Sequence, residues 1–163
     1  MEFNGMNAHE YWMQEALMEA ATAAARGEVP VGAVAVAENE VIASAHNRRE
    51  ESGNPLDHAE MILLGKINRD HGNWRFDDVT IYCTCEPCLM CMGALVHARI
   101  PRLVFGCFEP KTGACGSLYD FSRDRRLNHN IEVIPGVLHD QCALQLRQFF
   151  QTVRQSGPAQ VKA

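Results

Sequence analysis

The sequence lacks any apolar run long enough to cross a bilayer. Its longest, about VPVGAVAVA from Val29, falls far short of the roughly 20 residues a spanning helix needs. The first residues, MEFNGMNAHE, hold no basic stretch followed by an apolar one, so no secretory leader is expected. A chain without export signals is expected in the cytoplasm, where thiols stay reduced or bind metal. Paired cysteines are missing as well: there are 7, an odd number that fits poorly with a disulfide framework. Nor is there a surplus of positive charge. With 15 Lys and Arg against 20 Asp and Glu, the net charge of −5 removes the simplest sign of a nucleic-acid partner. Repeats and low-complexity segments are absent. What remains, 163 residues with 47% hydrophobic content, predicts one domain with a proper core over residues 1–155. SGPAQVKA, residues 156–163, is expected to be a flexible C-terminal tail.

What is present is patterned. Asn7 and Glu10 have the spacing of a capping box, and Met13, Leu17, Ala20 and Ala24 then recur at helical intervals as far as Gly27. VPVGAVAVA predicts a strand, ENE a turn and VIASA its hairpin partner. NRREESGNPLD predicts a loop, and a helix follows from about His58 to Asp70. In VTIYCTC, alternation places Val79, Ile81, Cys83 and Cys85 on one core-facing side of a strand. Pro87 suits the first turn of a helix carrying Cys88 to His97. RLVFG and IEVI predict two more strands, and Leu138, Cys142, Leu146, Phe149 and Val153 mark one stripe of a closing helix. A hairpin followed by alternating helices and strands implies an α/β fold, a single mixed five-stranded sheet with helices on both faces. Ligands of such sheets bind beyond the carboxyl ends of strands, where CEPCLMC falls.

Four cysteines crowd this segment. Cys83 and Cys85 read as small buried hydrophobes, since free cysteine is among the most buried residue types. Cys88 and Cys91 differ: three apart at a helix start, they project sulfur from neighbouring positions, and the helix amides there favour thiolates. A CxxC alone fits a redox pair as well as a metal clip. Upstream, DHAEM places His58 and Glu60 at the start of another helix. His58, Cys88 and Cys91 supply one nitrogen and two sulfurs, which leaves the fourth tetrahedral position of zinc open, as in catalytic rather than structural sites. One zinc per chain is expected, with no organic cofactor. A regular helix turns Glu60 away from His58, so Glu60 is free to act on water as a catalytic acid–base group.

These residues also carry a resemblance. His-x-Glu with Pro-Cys-x-x-Cys is the known signature of the zinc-dependent nucleoside and nucleobase deaminases. The sequence is most similar to the bacterial tRNA-specific adenosine deaminases, through HEYWM at His9, EVPVGAV at Glu28, NR at Asn47, HAE at His58 and EPCLMCMGALVHARI from Glu86. VFG at Val104, KTGACGSL at Lys111, NHNIEV at Asn128 and FF at Phe149 extend it towards the C-terminus. The resemblance implies a cytidine deaminase-like fold, a homodimer, and hydrolysis of adenosine to inosine at the first anticodon position of tRNA. It implies that Glu60 carries protons between water, the ring nitrogen and the leaving amine. The side chain of Asn47 and the amide of Ala59 would contact the base. Lys111, with Arg123, Arg125 and Arg126, would be available to phosphates of the anticodon loop.

Some residues depart from that pattern. Cys85 stands where an aliphatic residue is usual, Asp57 where Ala is usual, and TCEPC is similar to the related guanine deaminases. Phe108 and Glu109 fall in a loop that faces RNA in the family, and FFQTVRQ lacks a basic cluster after the paired Phe. Deamination of a free purine such as guanine, or a non-enzymatic zinc or redox module on Cys88 and Cys91, therefore stay open as alternatives.

Overall fold

The computed structural model describes residues 5–72 and 75–157. Helix α1 (Ala8–Ala25) opens on the expected capping box: Asn7 accepts the Glu10 amide at 3.0 Å, and the Glu10 carboxylate accepts the Asn7 amide at 3.2 Å. Its inward face is made small by Ala16, Ala20 and Ala23, with Trp12 and Met13 beside them. Small residues let the helix lie directly on strand β1 (Gly32–Ala37), where a Cβ on Gly32 would come within 2.5 Å of the Ala20 nitrogen. Strand β2 (Glu40–His46) returns antiparallel to β1 through Glu38 and Asn39, both at positive φ (51° and 61°), which suits the twist of a two-residue hairpin turn.

The rest of the chain alternates: α2 (Arg49–Ser52), α3 (Ala59–His71), β3 (Thr80–Cys85), α4 (Leu89–His97), β4 (Arg102–Cys107), β5 (Glu132–Ile134) and α5 (His139–Gln155). The five strands form one mixed sheet in the order β2-β1-β3-β4-β5, antiparallel at β1–β2 and β1–β3 and parallel at β3–β4 and β4–β5. Helices cover both faces. Leu63 and Ile67 of α3 and Met92 and Leu95 of α4 pack with Ile81 and Phe105 on one side. Trp12 and Met13 of α1 and Cys142 of α5 pack with Val34, Tyr82 and Val104 on the other. The layered α/β sheet expected from the sequence is the one observed.

Four local features differ from the sequence reading. Strand β1 begins only at Gly32, because the chain before it turns: the Val31 amide reaches Val29 O at 2.8 Å, and Asn47 N reaches Val31 O at 3.1 Å. The stretch read as a loop contains α2, whose first turn has no side-chain cap of its own. The buried carboxylate of Glu28 takes that place, accepting the amides of Glu50 and Glu51 at 3.2 and 2.7 Å. Helices α3 and α4 start one residue later than their ligand residues, with His58 and Cys88 as their N-caps, so Pro87 lies ahead of the helix and not in its first turn. Finally, Cys85 does not share the core of Cys83. Register with β4 holds up to Cys83–Phe105 and resumes at Cys85–Cys107. Thr84 Oγ1 accepts the Gly32 amide at 3.1 Å, and Cys85 packs on the α1–α5 side with Cys107 and Cys142. On α5 the predicted stripe is shallow: Cys142 alone is fully buried, with Leu138 and Leu146 packed against the same cluster. The tail expected at 156–163 falls outside the described residues from 158 onward.

Candidate active site

Two helices begin at one place. His58 caps α3 and Cys88 caps α4, yet neither side chain is used as a cap. Their Nδ1 and Sγ atoms are thereby available, and Cys91, in the first turn of α4, joins them. The ligand atoms of the three residues all lie within 4.8 Å of one another, with His58 Nδ1 3.6 Å from each sulfur. The hydrogen bond from Cys91 holds the Cys88 thiol down to about 4, with a further bond from His58 in the same sense. The bond it donates to Cys88, together with burial, pushes Cys91 up. His58 is raised, first by its bond to Cys88. Two helix amino ends point their amides here as well, which favours negative sulfur, the form that binds metal. This nitrogen and two sulfurs fit a zinc ion that keeps one position open.

Glu60, in the first turn of α3, is only 3% exposed. Its Oε1 accepts the Cys83 thiol at 3.4 Å, while its buried Oε2 has no hydrogen-bond partner among the described residues. Leaving a buried carboxylate oxygen unpaired costs about 1–3 kcal/mol or more, so the partner is to be sought in water or substrate at the metal. Burial raises the pKa of Glu60 above the ordinary carboxylate value, the direction expected of a carboxyl that takes and returns protons. The contact with Cys83 gives that thiol a part that alternation alone did not reveal, and burial pushes its own pKa up. Cys83→Ala and Cys85→Ala are both expected to keep full zinc by elemental analysis. Each should lose about 1 kcal/mol in denaturant unfolding from thinned packing.

The proposed base contacts lie together. Asn47 is buried, its Nδ2 donating to Val29 O at 3.2 Å and its Oδ1 accepting the Ala59 amide at 2.9 Å. One Nδ2 hydrogen and one Oδ1 lone pair remain for a ligand. Lys111 is exposed on a loop fastened to the Cys88 turn, where Ala114 N reaches Pro87 O at 2.9 Å and Gly113 bridges to Cys88. The basic run is less available. Arg126 is spent on Asp124 at 2.6 Å, and holds that carboxyl down to about 2, while Arg123 and Arg125 are exposed. Phe108 packs edge-on to Phe105, centroids 5.3 Å apart. The two residues that pointed towards free purines are engaged elsewhere. Asp57 accepts Asn54 Nδ2 at 2.7 Å, and Cys85 hydrogen-bonds Cys107. Sequence reasoning missed two buried carboxylates beside the site, Glu28 and Glu86. Glu86 falls inside a string already singled out, but nothing local to it announces burial.

Among the described residues, no helix is long and apolar enough to cross a membrane. The profile of the cytidine and deoxycytidylate deaminase zinc-binding region matches residues 6–107. A tRNA-specific adenosine deaminase of Bacillus subtilis (strain 168) is 43% identical over 154 residues, covering 94% of this chain and 96% of its own. A solved structure from work on A-to-I editing by tRNA deaminases at the wobble position of transfer RNA superposes with a TM-score of 0.80 at 36% identity. It covers 83% of this chain and 98% of that one. The guanine deaminase of Nitrosomonas europaea superposes with a TM-score of 0.72 at 22% identity, over 86% of this chain and 83% of that one, which is a likeness of fold. With His58, Cys88 and Cys91 grouped so that they could hold a metal ion beside the buried Glu60, the chain belongs to the zinc-binding cytidine and deoxycytidylate deaminase family, on the branch of the tRNA-specific adenosine deaminases.

Proposed function

We propose that this chain, as one zinc deaminase domain over residues 1–155, hydrolyses adenosine to inosine at the first anticodon position of tRNA, releasing ammonia. The observation that carries the reading is the buried Glu60 beside the His58, Cys88 and Cys91 trio, with one carboxylate oxygen engaged and the other without a partner among the described residues. Zinc held by those three residues supplies the Lewis acidity that activates water. Glu60 does the proton work: Cys83 fixes Oε1, and Oε2 takes a proton from water and passes protons to the ring nitrogen and then to the departing amine. One water is consumed and one ammonia leaves, so the exchange at C6 balances. Asn47 offers its remaining amide hydrogen to the base. The Ala59 amide, held by Asn47, reaches the base only by exchanging that partner. An extruded base in a single-stranded loop is the form of substrate such a recessed site accepts.

The enzyme acts in this reading as a cytoplasmic homodimer, the assembly its family resemblance implies. Sedimentation at micromolar concentration tests it, and a single monomeric species would refute it. The decisive assay incubates an anticodon stem-loop carrying adenosine at the first anticodon position and measures inosine by mass spectrometry, with free adenine and guanine alongside. Turnover of a free base with an untouched stem-loop would overturn the substrate. Binding should weaken with salt along a shallow slope, since few Lys and Arg are free to meet phosphate. Asn47→Ala should lower turnover more than RNA capture. Lys111→Ala should weaken capture by several-fold while turnover of bound substrate persists, as expected for a lost phosphate contact.

A further inference from the structure

Glu86 ends strand β3's run towards Cys88 and is 3% exposed, with its carboxylate turned into the loop of residues 109–117. Oε1 accepts the amides of Cys115 and Ser117, each at 3.0 Å. Oε2 accepts the Glu109 amide at 3.1 Å and the Ser117 hydroxyl. Among the described residues no cation pairs with it, so four donors from one loop compensate its charge. A buried carboxylate is tolerable only when satisfied in this way. The loop is shaped around it: a Cβ on Gly113 would collide with the carboxyl carbon and come within 2.5 Å of Oε2. The same loop is tied to the ligand turn by Ala114 N to Pro87 O and by the Gly113–Cys88 bridge, and it leaves Lys111 and Thr112 exposed.

We propose that Glu86 is a positioning residue that pre-forms the 109–117 loop as the RNA-binding rim next to the metal, an inference that rests on the tRNA reading above. Its carboxylate is engaged by the loop on both oxygens. It acts through the loop, whose order is established before RNA arrives, so that binding does not have to supply it. Without the carboxylate, the loop amides lose their common acceptor and RNA must order them at the expense of affinity.

The test compares Glu86→Gln and Ser117→Ala with the parent chain, all zinc-loaded, on the anticodon stem-loop. Readouts are KM, kcat, zinc content and amide hydrogen exchange at Glu109, Cys115 and Ser117. Gln preserves the shape but turns an NH2 group towards N–H donors. Glu86→Gln should raise KM about tenfold or more, equivalent to about 1.4 kcal/mol, and speed exchange at the three amides by a similar factor. Its kcat should fall by no more than about threefold, because the interaction lost is one of binding. Ser117→Ala, which removes one bond and no charge, should move the same quantities in the same direction by about threefold. It carries the test alone if Glu86→Gln does not fold. A fall in kcat at constant KM, loss of zinc, or unchanged amide exchange would overturn the proposal. Inactivity of the parent on the stem-loop would instead refute the substrate reading.

Discussion

Glu60→Ala is expected to fold, hold one zinc per chain and capture the anticodon stem-loop, yet form inosine about 10²–10⁴-fold more slowly than the parent. The expectation follows from what each carboxylate oxygen does. Oε1 accepts the Cys83 thiol, a weak donor, and Oε2 has no hydrogen-bond partner among the described residues. Removing such a group relieves a buried charge and leaves no strong donor orphaned, so stability should hold or rise slightly. The ligand trio does not include Glu60, so metal content should be unaffected. Chemistry alone loses its proton carrier. Single-turnover assays with zinc measured on the same sample separate these effects. Loss of zinc together with turnover would make Glu60 a structural residue and sink the mechanism.

Cys88→Ser should have the second large effect, loss of both zinc and activity. Of the two cysteines, Cys88 is the one whose thiol is already drawn down to about 4 by Cys91 and His58, at the amino end of α4. A serine hydroxyl there keeps the shape but stays protonated, and zinc is bound by deprotonated ligands. One nitrogen and one sulfur remain, too few for the three-ligand site. Elemental analysis after dialysis is the check, and full zinc occupancy in the variant would refute the ligand assignment.

The metal trio and Glu60 were readable because each sits at a helix start that local spacing announces, in HAE and PCLMC. The strands were readable through alternation, and α1 through its capping box. What escaped was decided by distant partners. Glu86 and Glu28 look like ordinary surface acids, since Glu is rarely buried. Their partners lie far along the chain, the amides of α2 for Glu28 and the amides and Ser117 hydroxyl of the 109–117 loop for Glu86, which no local pattern encodes. Cys85 obeyed alternation in sequence but not in space: it packs with Cys107 and Cys142, opposite the cluster that holds Cys83. Helix α2 has only four residues and no cap of its own, so its amino end depends on Glu28. Charge misled in a different way: Arg126 counts towards basic content, yet Asp124 already occupies it.

The sharing of the metal trio between two helix starts has a mechanical side. An ion held by His58 at the amino end of α3 and by Cys88 and Cys91 at that of α4 would be a cross-link, closing the stretch of chain from 58 to 88 that contains all of α3 and β3. Such a closure restricts the unfolded ensemble as a covalent bridge would, by an amount that grows only slowly with the length enclosed. Such an ion would join the helices on one face of the sheet in a chain whose seven cysteines are all free. Resistance to unfolding and competence in chemistry should then rise and fall together with zinc supply, and limited proteolysis of the zinc-stripped protein is expected to run faster than that of the loaded one.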